Sequence, residues 1–565
     1  MSIAFSNPFA RALVLAATLF GCGSESGTAE PDADTADPGA SWHTALSGLD
    51  SALLSVWGGG HDDLWFVGAD KRDGKGPMVI HGGPGRTFRR LDLRPFDNVG
   101  GHLWWVHGDA SAVWTVGDGG RAFRFDRVSQ TWSRIETDTN ATLYGVWGAP
   151  GSGELWAVGG HVLPAVGPPV VVRLTPEGGE LVAELPEEVS GQWTFFKVWG
   201  TGADDVWVVG EQGRVLHYDG RGWKAVPLTS APRLVTVHGA GDEVVLVGGS
   251  TQAVILERAG PTGLEFTDRS PSGETLLSGV YVGDDGQAMA AGMVGLVMRR
   301  KSAGATWSRM SGQTLTKDWH AVWRDGRGDW WLVGGNLLSA SRFDEGAVLR
   351  FGPERQDLPT GGLIDLDPVR PDDGPESSEV EVVEEAEVEV VEEAEVEVVE
   401  QADVEVVEPD SDASDSSEVV TPGLLELGSL AAGSGEFVPV VDGQKMPLVH
   451  GPQGGFHVEG ILRFSAESTV DPLESAVELS VWVEGQIRGR FKTGRYPVPR
   501  AGDGVYQTYL VFAIFCEDPP PGDCFIPLWD SSAFDGKSAL IKATVTPTGG
   551  ATLEREWVVT LEDTL

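Results

Sequence analysis

The sequence predicts an all-β protein, in which a seven-bladed β-propeller is followed by a C-terminal immunoglobulin-like β-sandwich. First, a Val-Trp-Gly motif or a close relative of it occurs seven times, on average 44 residues apart. Second, each copy is followed by an apolar segment that ends in glycine, ten to twelve residues after the aromatic position. Third, the chain contains 77 Gly and 21 Trp among its 565 residues, and glycine-punctuated aromatic segments are typical of β-strands.

Each repeat has the length of four short strands. The motif forms the first strand and the apolar segment the second, while a third segment such as 213–218 and a fourth that begins with an aromatic complete the unit. Propeller blades have this size, and large aromatic side chains fill the space between them. Two motif copies carry histidine, at His107 and His238, for which packing in the core is favoured over ligation. The tryptophans assigned to blade packing are Trp42, Trp57, Trp147, Trp199, Trp207, Trp223 and Trp323.

The first of these tryptophans predicts how the propeller closes. Trp42 precedes Trp57 by fifteen residues, the interval that also separates Trp223 from His238. Trp42 therefore occupies the fourth-strand position of a blade whose other strands lie at the opposite end of the repeats. We expect residues 41–47 to complete the seventh blade and to remove the open sheet edge.

The best-preserved repeat runs from Asp205 to Trp223, DVWVVGEQGRVLHYDGRGW. With it, residues 41–358 resemble the sialidase-like families with Asp-box repeats and the photosystem II stability and assembly factor propellers. The resemblance implies a fold more than a function. A sialidase-like glycan hydrolase would need an arginine triad and a tyrosine nucleophile. Tyr144 and Tyr281 lie on predicted first strands without such an arginine cluster, so a non-catalytic protein is favoured, with a glycan hydrolase or an assembly factor for an envelope complex as the alternatives.

Paired aspartates recur at one turn position. One interpretation is a ring of carboxylates that binds Ca²⁺. The favoured one is that these side chains accept backbone hydrogen bonds in the tight turn between the first and second strands, because only three of the seven repeats carry the pair. The residues concerned are Asp62, Asp63, Asp204, Asp205, Asp284 and Asp285.

The N-terminus carries an export signal. The apolar run 12–20 is too short to remain as a membrane-spanning helix, and it leads into Leu19-Phe20-Gly21-Cys22. This ending resembles the lipobox of bacterial lipoproteins, which implies cleavage before Cys22 and attachment of lipid to its sulfur. The alternative is an ordinary secretory signal with a coincidental cysteine. Gly23 follows the cysteine, which favours the outer membrane, with the protein either in the periplasm or on the surface.

The remaining two cysteines, Cys516 and Cys524, flank the segment EDPPPGD. A turn of this composition can bring its ends together, and export places the pair in an oxidising compartment. A local disulfide is therefore favoured over a metal site, because no histidine lies near.

The chain divides into five parts. The segment 379–409 repeats an eight-residue unit rich in Glu and Val, and self-repulsion should keep such a carboxylate-rich spacer extended and disordered. A cation- or partner-binding tail is the alternative for it. The segment 451–457 predicts a tight turn. The predicted parts are a signal peptide (1–21), a lipidated disordered tether (22–40), the propeller (41–358), the acidic linker (359–422) and the β-sandwich (423–565).

Charge and motifs limit the possible partners. The formal net charge of −43 leaves no basic field for nucleic acid. The sequence contains no phosphate-cradling loop and no nucleophile or zinc motif, and we expect no cofactor. It predicts a lipid-anchored envelope protein whose propeller loops recognise or scaffold a protein or a glycan.

Overall fold

The computed structural model describes two stretches of the chain, and all structural statements refer to them. They are residues 39–366 and 424–563, except 98–99, 162–167, 183, 192, 231, 251, 259, 261–262, 338–342, 356–361, 431–436, 451–455, 470–472, 509–510 and 516–530. The predicted signal peptide, Cys22, Cys516, Cys524 and most of the predicted linker lie outside the described residues. The only helical segments in the described part are short 3-10 turns, and no helix there is long and apolar enough to cross a membrane.

The first described stretch is a seven-bladed β-propeller, as predicted. It begins with β1 (Ala40–Leu49), and in blades 1 to 6 four antiparallel strands run outward in chain order. Blades 1 to 3 contain β2 (Leu53–Gly60), β3 (Asp63–Gly68), β4 (Val79–Gly83), β5 (Arg86–Arg90); β6 (Leu103–Gly108), β7 (Ala112–Gly117), β8 (Ala122–Asp126), β9 (Thr131–Ile135); and β10 (Thr142–Trp147), β11 (Leu155–Gly160), β12 (Val170–Thr175), β13 (Gly178–Leu181). Blades 4 to 6 contain β14 (Phe195–Gly202), β15 (Asp205–Gly210), β16 (Val215–Tyr218), β17 (Trp223–Ala225); β18 (Leu234–Ala240), β19 (Glu243–Gly249), β20 (Ala253–Arg258), β21 (Phe266–Asp268); and β22 (Leu277–Val282), β23 (Ala288–Gly292), β24 (Val297–Arg300), β25 (Ser308–Arg309).

The seventh blade is assembled from both ends of the propeller. It contains β26 (Asp318–Arg324), β27 (Trp330–Asn336) and β28 (Asp344–Pro353), and β1 pairs antiparallel with β28 as the fourth strand. Trp42 lies opposite Phe351 with the ring centroids 4.9 Å apart, and its indole Nε1 donates to the Ser311 carbonyl over 3.0 Å. The predicted closure by residues 41–47 is therefore present in the fold.

Blade 1 gains a fifth strand from the start of the predicted linker. Strand β29 (Leu363–Ile364) pairs parallel with β5, and Asp365 forms ion pairs with Lys75 (2.8 Å) and Arg90 (3.3 Å). The outer edge of this blade is thereby covered.

The second described stretch is all-β, as predicted. Its strands form one eleven-stranded sheet whose path closes on itself, because β33 pairs with both β32 and β38. The strands are β30 (Leu425–Leu430), β31 (Phe437–Pro439), β32 (Lys445–His450), β33 (Phe456–Ser465), β34 (Leu473–Val483), β35 (Gln486–Val498), β36 (Arg500–Gly502), β37 (Val505–Gln507), β38 (Val511–Phe515), β39 (Ser538–Pro547) and β40 (Leu553–Asp563). Of the segment 451–457, residues 456 and 457 begin β33, and the rest lies outside the described residues.

The C-terminal domain packs on blade 6. Met293 and Val294, in the turn between β23 and β24, belong to the buried apolar cluster of that domain. Val294 has a φ of 55°, which is unusual for a β-branched residue. On the other side of the contact, Thr493 Oγ1 and the Gly494 amide donate to the Gly273 carbonyl over 3.0 and 3.1 Å. Blades 2 and 4 have Gly119 and Gln212 at the position of Val294, so the apolar turn is a feature of blade 6.

Candidate functional site

The central channel is lined by the first strand of every blade, and the aromatic motif positions form a ring at one end of it. Neighbours around this ring lie close together, with ring centroids 6.3 Å apart for Trp57 and His107 and 4.2 Å apart for His238 and Tyr281. These residues precede the turns between first and second strands, so we call the face of the propeller that carries those turns the ring face. The aromatic ring consists of Trp57, His107, Trp147, Trp199, His238, Tyr281 and Trp323.

The glycine of the Val-Trp-Gly motif makes room for the indole of the preceding blade. A Cβ on Gly200 would lie 2.8 Å from Trp147 Cη2, and one on Gly108 would lie 2.9 Å from Trp57 Cη2. The motif therefore pairs an aromatic residue with the glycine of the next blade. These tryptophans therefore pack between blades, the role predicted for them. The same indole side chains also border the channel.

The opposite end of the channel is closed by a compact apolar cluster. Every first strand has a register break near its start, and the extra residue there is buried. Trp104, on the second blade, packs against Tyr144 (4.9 Å between centroids) and Phe343 (5.8 Å). We call this cluster the plug, and its members are Ala52, Leu54, Ala69, Trp104, Tyr144, Phe196, Leu337 and Phe343.

Between the ring and the plug, a cavity of about 150 Å³ remains. Its walls are the aromatic ring and the valines that precede it, with Trp105, Lys197 and Thr236 below. At the sequence position of Lys197, blade 2 carries Trp105 and the other five blades carry small residues, which are Ser55, Gly145, Thr236, Gly279 and Ala321.

Lys197 is the notable polar residue of this cavity. It belongs to blade 4, its side chain is almost fully buried, and its Nζ donates to the Tyr144 carbonyl over 3.0 Å. The Nζ also lies 4.1 Å from the centroid of Trp105, on blade 2, in a cation–π contact. Burial lowers the pKa of Lys197 to about 7, and among the described residues no carboxylate contributes to this shift.

The histidines around the channel are neutral at physiological pH. Burial lowers the pKa of His107 to about 4 and that of His238 to about 3. His107 Nε2 contacts the Gly148 carbonyl at 3.0 Å, and His238 Nδ1 accepts from the Val282 amide over 3.1 Å. Both are packed between blades, as the sequence favoured. Burial first, and the nearby charge of Lys197 second, lower the pKa of His320, beside the plug, to about 3.

The paired aspartates lie on three separate blades, and the second aspartate of each pair interacts with neighbouring side chains. Asp63 accepts from Trp65 Nε1 (3.0 Å) and contacts His81 Nε2 (2.8 Å). Burial alone would raise the pKa of Asp63, but hydrogen bonding from His81 and the charge of Arg127 hold it below its usual value.

Blade 4 repeats this arrangement, with Asp205 accepting from Trp207 Nε1 over 3.2 Å and contacting His217 Nε2 at 2.6 Å. On blade 6, Asp285 accepts from Arg324 Nη1 over 2.7 Å. The first members, Asp62, Asp204 and Asp284, lie in the turns of the ring face. Among the described residues, no group of three or more His, Cys, Asp or Glu side chains is placed to hold a metal ion.

The other tryptophans of the repeat pack between blades further from the axis. Trp207, on a second strand, contacts Phe266 of the next blade with centroids 5.8 Å apart, and Trp223, on a fourth strand, contacts Trp156 of the preceding blade at 5.3 Å. Sequence reasoning did not identify Lys197 or Trp105. The signal for Lys197 was present, because a lysine stands inside the apolar segment TFFKVWG where the other blades have a small residue or tryptophan.

Comparisons with known proteins show resemblance at low identity. No protein-family model and no curated protein matches the chain. Among solved structures, YCF48 from Cyanidioschyzon merolae is 15% identical, with a TM-score of 0.42 over 56% of this chain and 99% of that protein. Virginiamycin B lyase from Staphylococcus aureus is 12% identical, with a TM-score of 0.43 over 56% of this chain and 99% of the lyase. A structure of YCF48 bound to D1 peptide is 13% identical, with a TM-score of 0.29 over 43% of this chain and 89% of that protein.

Proposed function

We propose that this protein is a non-catalytic recognition or scaffolding protein of the bacterial cell envelope, which binds its partner at the ring face. The aromatic ring around the cavity is the observation that carries this proposal. Ligand sites are concave and mostly apolar, with a few polar groups placed among aromatic side chains, and this cavity has that composition. The described contacts between the C-terminal domain and the propeller, at the turn between β23 and β24 and at Gly273, lie on the opposite face.

The proposed attachment to the membrane rests on the sequence around Cys22. Metabolic labelling of the full chain with an alkyne-bearing fatty acid should label the wild type and fail for Cys22→Ser. The Cys524→Ser variant is the matched control, because that cysteine belongs to the proposed disulfide, and its labelling should persist. Equal labelling of wild type and Cys22→Ser would contradict the lipid anchor.

The two tyrosines of the glycan-hydrolase alternative occupy different places. Tyr144 is fully buried in the plug, whereas Tyr281 belongs to the aromatic ring. Burial raises the pKa of both, which disfavours the phenolate that a nucleophile requires. Hydrolysis of any member of a glycoside panel, lost on Tyr281→Phe, would favour the enzyme instead.

A photo-crosslinking experiment tests the ring face directly. A photoreactive amino acid replaces Ala110 or Ala203, which are exposed in turns of the ring face, and Thr229 as the matched exposed position on the opposite face. Irradiation of intact cells should give a discrete crosslinked product from the two ring-face positions and none from Thr229. Such a product would also identify a client complex, as the assembly-factor alternative requires. A product from Thr229 alone would place the partner on the other face and refute the proposal.

A further inference from the structure

The charge of Lys197 has no counter-ion in the cavity. Its Nζ uses one donor on the Tyr144 carbonyl and faces the Trp105 ring, which leaves donors of the protonated amine available to the cavity. A buried charge is costly unless an opposite charge pairs with it. The ammonium group is therefore placed to pair with an anion that enters from the ring face.

The other titratable groups that line the cavity do not compete for such an anion. His107 and His238 are neutral above pH 5, because burial lowers their pKa values to about 4 and about 3. Burial raises the pKa of Tyr281, which keeps this side chain uncharged. His320, behind Lys197, has a pKa of about 3 and is neutral as well. Of the described residues that line the cavity, Lys197 alone has a side chain that is charged in the weakly acidic to neutral range, because its pKa is about 7.

The acidic turns of the ring face do not extend into the cavity. The carboxylate of Asp285 accepts from Arg324, and that of Asp109 accepts from the Ser111 amide over 2.7 Å. Neither residue borders the cavity. Most of its lining side chains are tryptophans and valines, and a cavity of about 150 Å³ accepts a group the size of benzene.

We propose that this cavity binds an organic carboxylate with an apolar body about the size of benzene. The carboxylate pairs with Lys197, and the apolar body lies between the seven residues of the aromatic ring. This inference rests on the proposed recognition role of the ring face. The carboxylate belongs either to a free acid or to the last residue of a partner chain, since both present the same group to the amine.

Binding of benzoate to the full chain tests the proposal, with titrations followed by calorimetry at pH 6.0 and pH 8.5. We expect saturable binding of benzoate at pH 6.0. Its affinity should be about thirty-fold lower at pH 8.5, because the Lys197 amine of the unliganded protein has lost its proton at that pH. Lys197→Met should lose at least ten-fold in affinity at pH 6.0 and show no pH dependence. Lys224→Met is the matched control, because this exposed lysine on blade 4 lies outside the cavity, and its binding should equal that of the wild type.

Further ligands separate the sources of the carboxylate and the contribution of charge. Benzamide, a neutral molecule of the same shape, should bind at least ten-fold more weakly than benzoate. N-acetyl-phenylalanine binding tighter than benzoate would indicate a chain terminus, and the reverse order a free acid. Three results would overturn the proposal: equal binding of benzoate and benzamide, equal binding to the wild type and a folded Lys197→Met variant, or no saturable binding at pH 6.0. Lys197 would then serve only to connect neighbouring blades. In that case ring-face crosslinks from Ala110 and Ala203 would still stand, which distinguishes failure of this inference from failure of the proposed function.

Discussion

The two ends of the propeller channel are built from the same seven strands but differ in packing. Near their beginnings these strands carry the bulged residues, several of which fill the axis as the plug. Near their ends the aromatic motif residues lie side by side and enclose a cavity of about 150 Å³. The difference arises because a bulge adds one residue and so changes the direction of the side chain that follows. The plug closes one end of the channel, and the other end forms a pocket that is lined by the aromatic ring.

Removing residues 41–47 should have the largest effect, because both ends depend on a closed propeller. The deletion takes away the fourth strand of blade 7 and exposes the edge of β28 together with the packing of Trp42 on Phe351. We expect a loss of several kcal/mol, of the size found when large buried surfaces are removed. Urea unfolding of the full chain measures it, and a seven-residue deletion at 28–34, in the predicted tether, is the length-matched control. Unchanged unfolding after the deletion of 41–47 would contradict the role given to ring closure.

Replacing one tryptophan at each end of the channel compares the packing of the two ends directly. Trp104 is 2% exposed in the plug, and its Nε1 donates to Asp118 Oδ1 over 2.7 Å. Trp104→Ala should cost about 3–5 kcal/mol, since it opens a cavity and leaves Asp118 Oδ1 without its donor. Trp57→Ala, in the partly exposed ring, should cost about 1–2 kcal/mol. Equal losses in urea unfolding would mean that the ring is packed as tightly as the plug.

The histidines should make the propeller sensitive to acid. His107 and His238 have pKa values of about 4 and about 3 in the folded protein, below the ordinary value of about 6.5. The unfolded chain therefore binds more protons between pH 6.5 and 4, and stability falls as the pH falls through this window. His238→Tyr, which places the residue of blade 6 on blade 5, should weaken this dependence. Melting temperatures measured from pH 7 to 4 that fall in parallel for both proteins would contradict it.

A glycine substitution at the ring should have a smaller effect on stability than the loss of Trp104. A Cβ on Gly200 would lie 2.5 Å from the Asp205 carbonyl and 2.8 Å from Trp147, so Gly200→Ala should cost about 1–3 kcal/mol by overpacking. Gly222→Ala in the same blade is the control, because no atom lies within 4 Å of its added carbon, and a change within about 0.5 kcal/mol is expected. If the two alanine variants unfold at the same urea concentration, the aromatic–glycine contact is not a constraint.

The sequence predicted the blades and their closure because both follow from repeated spacing. The interval of fifteen residues between Trp42 and Trp57 was enough to assign β1 to the seventh blade. The plug could not be predicted in this way, because a bulge breaks the alternation from which side-chain directions are read. Lys197 was visible as a lysine in an apolar segment, but its contact with Trp105 joins blades 4 and 2 and depends on the curvature of the closed ring.

The central claim is that the channel is accessible at the aromatic ring and closed at the plug. The reactivity of a thiol placed at each end tests it most directly. His238→Cys places a thiol in the aromatic ring, and Leu54→Cys places one in the plug. Each variant is treated with a sulfonate-bearing methanethiosulfonate, and modification of the introduced cysteine is followed by peptide mass spectrometry against the urea-unfolded chain. We expect rapid modification at position 238 in the folded protein and none at position 54 until the chain unfolds. Equal rates at both positions, or faster reaction at position 54, would contradict it.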